Sequence, residues 1–320
     1  MDSGLYQFHP TPVKAKDTMP LFSLLLFACC LFIPDQAFAW GGGIHLQTGL
    51  SVLAALDTLP AQIAALLAAH PRDYLYGCIA ADIIVGKKYT HYMLNCHRWG
   101  IGRKVLSAAR TDAEKACAYG YLSHLAADVI AHNYYVPHKI MRSFASVTMK
   151  HTYWEMRFET FAEAQVWERA REICRSDQSG NDTLLRGVLT NTIFSFGTNK
   201  RIFNSIMLLS RLEKWQKVMQ TLSDNSRYTL AASDRDEYLV LTEQAVFNLL
   251  RYPDDAGIFL NDPTGERALT AAEALRKNLR LLYKSGRLTK ADGLEQVETI
   301  KMKLRQALEK PELLGELHRG

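Results

Sequence analysis

The chain of 320 residues carries 38 Lys and Arg against 33 Asp and Glu, a formal charge of +5, and 48% of its residues are hydrophobic. That apolar content fills the core of one large domain or two modest ones, which excludes a small scaffold held together by staples. Acidic and basic residues are interspersed through the C-terminal half with no basic run, so the charge points to solubility rather than to a nucleic-acid footprint.

The N-terminus reads as a leader. Lys14 and Lys16 precede the apolar stretch PLFSLLLFACCLFIP, which is short for a bilayer span, and Ala37-Phe38-Ala39 fits an A-x-A cleavage pattern. These features predict a signal peptide over residues 1–39 cut before Trp40, and a secreted or periplasmic mature chain with no stable transmembrane segment. The polar stretch ahead of Met19 is long for such a leader, which makes Met19 an alternative start. Removal of the leader leaves Cys78, Cys96, Cys117 and Cys174, which either pair in an oxidising compartment or remain buried thiols.

Helical periodicity dominates the mature chain. HLQTGLSVLAALDTLP from His45, AQIAALLAAH from Ala61, the run from Gly102 to Ala131, and TYWEMRFETFAEAQVWERAREI from Thr152 all set apolar residues three and four apart, with Pro60, Pro71 and Pro137 as punctuation. Strand-like alternation is nearly absent, so the expected fold class is all-α. The polar cluster SDQSGND at 176–182 separates a first domain, 40–175, from a helical C-terminal region, 183–320, of no assigned role. Within that region 183–252 and 264–310 read as amphipathic helices, with RYPDDAGIFLNDPTGE at 251–266 as the loop between them. Leu294, Val297, Ile300, Leu304 and Leu308 fall on one face of the last helix.

No histidine occurs between Glu155 and Leu317, and all the imidazoles of the mature chain but His318 lie between His45 and His151. The stretch YLSHLAADVIAHN, 121–133, carries His124, Asp128 and His132 at successive spacings of four, so all three project from one stripe of an otherwise apolar helix. An ionised carboxylate on such a face is costly unless paired or metal-bound, which favours a metal. His151 and Glu155 in HTYWE, also four apart, suit either a shared metal or a surface pair. Asp82 in YGCIAADI follows a small-residue turn, and His91 and His97 follow in YTHYMLNCHRW. Cleavage before Trp40 would expose an α-amino group, itself a metal ligand, five residues from His45 across a flexible Gly-Gly-Gly. His70 and His138 read as helix-end residues, Lys87 and Lys88 as a solvated loop, and Trp99, Tyr153, Trp154 and Phe158 as packing.

The ordered set resembles the trinuclear zinc phosphoesterases, which comprise bacterial zinc-dependent phospholipases C and single-strand-specific zinc nucleases. The similarity covers about residues 40–170. The ligand order of that family falls on Trp40, His45, Asp82, His97, His124 with Asp128, His132, and His151 with Glu155; His91 is the alternative to His97. The resemblance implies a multi-helix bundle and three zinc ions: one on His97, His124 and Asp128, a second on Trp40, His45 and the other oxygen of Asp128, and a third on His132, His151 and Glu155. It further implies that Asp82 serves as ligand or base for a water activated between closely spaced ions, which attacks phosphorus in line. His132 follows Asp128 by four residues where the best-known members have six, so the helix must present it differently.

A phospholipid, cut between glycerol and phosphate, is the expected substrate. A single-strand nuclease needs aromatic platforms and a cationic groove, which are not evident near the ligands, so nucleic acid is the less favoured partner. A periplasmic zinc-binding protein without turnover is the alternative of a different class. A phosphohydrolase of the HD type is excluded, because the chain has no adjacent His-Asp pair.

Overall fold

The computed structural model describes residues 41–84, 95–146, 151–189, 194–210, 216–217, 221, 230 and 232–315, with the backbone alone for His151 and Thr152. The expected leader over 1–39, Trp40, Lys87, Lys88 and His91 lie outside the described residues. Every regular element among these residues is helical, as the scarcity of strand alternation predicts. In chain order come α1 (Gly42–Ala54), α2 (Ala61–Ala69), α3 (Pro71–Ala80) and a 3₁₀ turn, Ala81–Ile83. Then α4 (Trp99–Ala108) leads to α5 (Asp112–Ile130), which runs through a π-helical turn, Ala131–Tyr135, into α6 (Val136–Arg142). They are followed by α7 (His151–Glu159), α8 (Ala164–Arg175), α9 (Ser179–Val188) and α10 (Phe196–Ser210). The C-terminal helices are α11 (Ala232–Arg251), α12 (Glu266–Lys284) and α13 (Lys290–Ala307).

The axis of the fold is the rod α5–α6. A capping box starts it: the Thr111 hydroxyl accepts from the Glu114 N–H at 3.2 Å, while the Glu114 carboxylate accepts from the Thr111 N–H at 3.0 Å. From Gly120 to Ile130 every residue is buried, so this helix is enclosed on all sides, wrapped by α3, α4 and α11. Its closest neighbour is α3. A Cβ on Gly77 would stand 2.0 Å from the Cys117 carbonyl oxygen, and one on Gly120 would stand 2.0 Å from that of Tyr74. The two helices therefore cross backbone to backbone at a point that only glycine allows.

The π turn has a local cause. Pro137 has no N–H to offer the carbonyl of Asn133, and the Val136 N–H reaches back to Ala131, a five-residue step. Further along, the rod is latched to the C-terminal helices by charges that are buried or half-buried. Lys139, 1% exposed, donates to Asp234 at 2.6 Å, and Lys301 joins at 3.1 Å from Asp234 and 2.7 Å from Glu237. His138 is not a helix-end residue, as its neighbour Pro137 suggested, but is fully enclosed, with Nδ1 2.6 Å from the Tyr238 hydroxyl. Of the expected face of α13, Val297, Leu304 and Leu308 are buried while Leu294 and Ile300 are partly so. Cys78, Cys96, Cys117 and Cys174 are all free thiols.

Candidate metal site

Five of the expected site residues meet in one place. His45 lies in the first turn of α1, Asp82 in the 3₁₀ turn after α3, His97 just before α4, and His124 and Asp128 one turn apart on α5. Asp128 is central: Oδ1 lies 3.3 Å from His45 Nε2, and Oδ2 lies 3.2 Å from His124 Nε2 and 3.4 Å from His97 Nε2. His97 Nε2 is also 3.1 Å from His124 Nε2 and 3.2 Å from Asp82 Oδ1. The His45 and His124 rings stack with centroids 3.8 Å apart. All five side chains are buried.

The backbone decides which way the His124 imidazole faces. The last carbonyls of a helix have no partner within it. At the end of α3 the Cys78 carbonyl is 2.9 Å from His124 Nδ1, and since a carbonyl only accepts, that nitrogen carries the hydrogen. The neutral ring then presents a bare Nε2 to Asp128 and His97, as a metal-binding imidazole does when an acceptor behind it holds its other nitrogen. The segment bearing His97 is held similarly: the Tyr121 hydroxyl donates to the Cys96 carbonyl at 2.6 Å, and the His97 N–H donates to Asn95 Oδ1 at 2.9 Å.

The electrostatics are unusual for a core. Both oxygens of Asp128 and both ring nitrogens of His45 are buried without a hydrogen bond of acceptable geometry, and among the described residues no Lys or Arg pairs with Asp128. Burial pushes the Asp128 carboxyl up, but His124 and His45 outweigh it and hold the group well below the usual carboxylate range. Burial, with the nearby charge of His124, pushes His45 down. Converging nitrogens and oxygens of this kind, with buried lone pairs otherwise unused, fit a bound cation. Imidazole with carboxylate is a donor set that suits zinc.

The stripe on the rod does not converge on one point. His124 and Asp128 face the cluster, but His132 falls in the π turn, which rotates it onto a different contact. Its Nε2 lies 3.3 Å from Glu155 Oε1 on α7, and its Nδ1 lies 2.6 Å from the Pro263 carbonyl. Glu155 is 2% exposed, which removes the surface-pair alternative. Burial pushes Glu155 up to about 8. Burial opposes a charge on His132, but Glu155 outweighs it and holds the imidazole at about 9. His151 opens α7 one turn before Glu155, and its side chain lies outside the described residues.

Three participants were not evident from the sequence. Glu159, one turn beyond Glu155, accepts from the Gly43 N–H at 2.7 Å and the Ile44 N–H at 3.4 Å, and burial pushes it up to about 7. The repeated spacing of four from His151 through Glu155 to Glu159 was the available signal. The others, the Cys78 and Pro263 carbonyls, have no side-chain signature. The Gly-Gly-Gly run is also not a tether: a Cβ would fall 2.0 Å from Glu159 Oε2 at Gly41, 2.5 Å from Met207 Sδ at Gly42 and 2.7 Å from Glu159 Oε1 at Gly43. Trp154 and Phe158 pack in the core as expected, whereas the Trp99 indole N–H also donates to the Asn261 carbonyl at 2.7 Å.

Two overlapping groups, His45 with Asp82 and His124, and His97 with His124 and Asp128, each present ligand atoms within 4.8 Å of one another. Residues 44–194 match the model of a family described as zinc dependent phospholipase C. Through this segment the chain is similar to the zinc-dependent phospholipase C family. No curated protein and no solved structure matches it. The segment that matches the phospholipase C model contains every ligand-type side chain described above from His45 to Glu159, and it ends before α10. The C-terminal helices α11–α13, and the loop that supplies the Pro263 carbonyl, lie beyond it.

Proposed function

We propose that this chain is a secreted zinc-dependent phosphodiester hydrolase of the phospholipase C type. The observation that carries the reading is Asp128, whose two buried oxygens address different imidazoles with no hydrogen bond to either. In this reading His97, His124 and Asp128 would hold one zinc, and His45, Asp128 and the processed Trp40 amine would hold a second. His132, His151 and Glu155 would hold a third. Bound zinc would lower the pKa of water at the site and polarise the phosphate oxygens.

The chain's own residues do the rest. Asp82, beside His97, accepts a hydrogen bond from the attacking water and orients it in line with the leaving alkoxide. The Cys78 carbonyl keeps the His124 lone pair directed inward. The low-dielectric walls around Asp128 strengthen each charge interaction within the site. Among the described residues no helix is long and apolar enough to cross a membrane. A phospholipid is the substrate that the family favours.

The test is zinc per molecule in untagged protein processed to begin at Trp40, followed by assay on phosphatidylcholine vesicles and on single-stranded DNA. About three zinc ions and release of diacylglycerol support the proposal. Cleavage of DNA alone would assign a nuclease. Full zinc with no turnover on any phosphodiester would make this a zinc-binding protein, and one ion or none would withdraw the metal reading.

A further inference from the structure

We infer that the loop Asn261–Glu266, which lies outside the phospholipase C segment, is a clasp that positions His132 and the His97 segment for metal binding. The C-terminal helices would then be part of the metal site rather than an appendage. The inference rests on the zinc reading above for its metal, though not for its geometry.

Three consecutive carbonyls of this loop each receive a side chain from the site. The Asn261 carbonyl accepts from Trp99 Nε1 at 2.7 Å, the Asp262 carbonyl from Asn133 Nδ2 at 2.8 Å, and the Pro263 carbonyl from His132 Nδ1 at 2.6 Å. Trp99 follows His97 by two residues, and Asn133 adjoins His132, so the loop bridges two ligand-bearing segments that are remote in sequence. Arg98 Nη2 adds longer contacts, 3.7 Å to Asp262 Oδ2 and 3.7 Å to Glu266 Oε2. Because a carbonyl only accepts, Pro263 obliges His132 to carry its hydrogen on Nδ1. The neutral ring can then offer a cation only Nε2, the nitrogen that faces Glu155.

The loop is shaped to present those carbonyls. Asp262 turns the chain by accepting from the Thr264 N–H at 3.1 Å and the Thr264 hydroxyl at 2.6 Å. Gly265 follows at φ 60°, a left-handed conformation, and a Cβ there would stand 2.4 Å from both Cβ and the carbonyl oxygen of His132. The far side is anchored too, since Asn261 Nδ2 donates to the Leu308 carbonyl at 2.7 Å beyond the end of α13. A loop that only connected two helices would need neither this close approach to His132 nor a separate site residue on each carbonyl.

Outer acceptors of metal-bound histidines typically change metal affinity by about 10–100-fold when disturbed. The experiment uses the full processed chain and zinc alone as the probe, comparing wild type with Asp262→Ala, Asp262→Asn and Gly265→Ala. One readout is chelator competition for the most weakly held zinc. The other is hydrogen exchange at the His132 Nδ1–H proton, read by NMR. The expected result is a loss of about 10–100-fold in that affinity and faster exchange in Asp262→Ala and Gly265→Ala, with Asp262→Asn close to wild type. If Gly265→Ala does not fold, Asp262→Ala and its Asn rescue carry the comparison. Unchanged affinity and unchanged exchange in folded Asp262→Ala overturn the inference. A wild-type chain that binds no zinc sinks the hydrolase reading instead, and the exchange comparison then decides on the clasp alone.

Discussion

Replacing Asp128 by Asn preserves side-chain volume while removing the charge at the centre of the cluster, where three imidazole nitrogens stand 3.2, 3.3 and 3.4 Å from its oxygens. At an effective dielectric near 20, unit charges about 4 Å apart interact by about 4 kcal/mol. A neutral amide forfeits most of that toward each ion it would share, and a net loss of about 3 kcal/mol corresponds to roughly 100-fold weaker binding per ion. Ligand linkage turns the same factor into about 2.7 kcal/mol less zinc-dependent stability. In chelated protein the balance differs, because the amide escapes the desolvation cost of a fully buried carboxylate as it loses the His124 and His45 pairings. The zinc-free forms are therefore expected within about 1 kcal/mol of each other, on the scale of a substitution without a dominant mechanism. The assay is denaturant unfolding with and without chelator, alongside elemental zinc per chain. Full zinc with full activity in the variant refutes the site, and a deficit equally large with chelator would show that Asp128 is structural.

Gly120→Ala should cost about 3 kcal/mol, the upper end of overpacking, since its Cβ would meet the Tyr74 carbonyl oxygen at 2.0 Å. By moving α3 away from α5 it should also loosen the Cys78–His124 bond and weaken zinc; a variant with wild-type midpoint and zinc affinity would mean that the crossing is compliant. Buried His138 is pushed down to about 4 from an ordinary 6.5, chiefly by burial, so the unfolded chain binds the extra proton between those values. Its contribution is complete above about pH 6.5 and falls by about 3 kcal/mol on acidification to about pH 4. His138→Gln should flatten that part of the stability–pH curve, and an unchanged slope would exclude the residue. Retaining one extra residue before Trp40 should lower zinc content and activity, as the amine is carried out of reach; equal values for extended and processed protein would remove the amine from the site.

Much of the fold is written in local patterns. Apolar spacing of three and four, broken by Pro60 and Pro71, is a property of short stretches, and the helices follow it because side-chain periodicity and backbone hydrogen bonding act within one turn. The grouping of His45, Asp82, His97, His124 and Asp128 was legible for a related reason: these residue types stand in an order that resembles the family's ligand order, and such an order can be read without coordinates. The sequence also showed that His132 departs from the usual spacing, but not where its ring goes.

That outcome belonged to the tertiary structure. The π turn appears where Pro137 withholds an N–H, and it parts His132 from the stripe that it shares in an ideal helix. The Gly-rich start reads as slack until Glu159 and Met207 are seen against it. The C-terminal loop reads as a connection until its carbonyls are found on Trp99, Asn133 and His132. By itself the sequence determined the all-helical character and the inventory of candidate ligands, because both depend on residue identity and near neighbours. Only the tertiary structure decided which nitrogen His124 and His132 turn inward, because that depends on backbone carbonyls, which every residue carries alike and which distance in space alone can select.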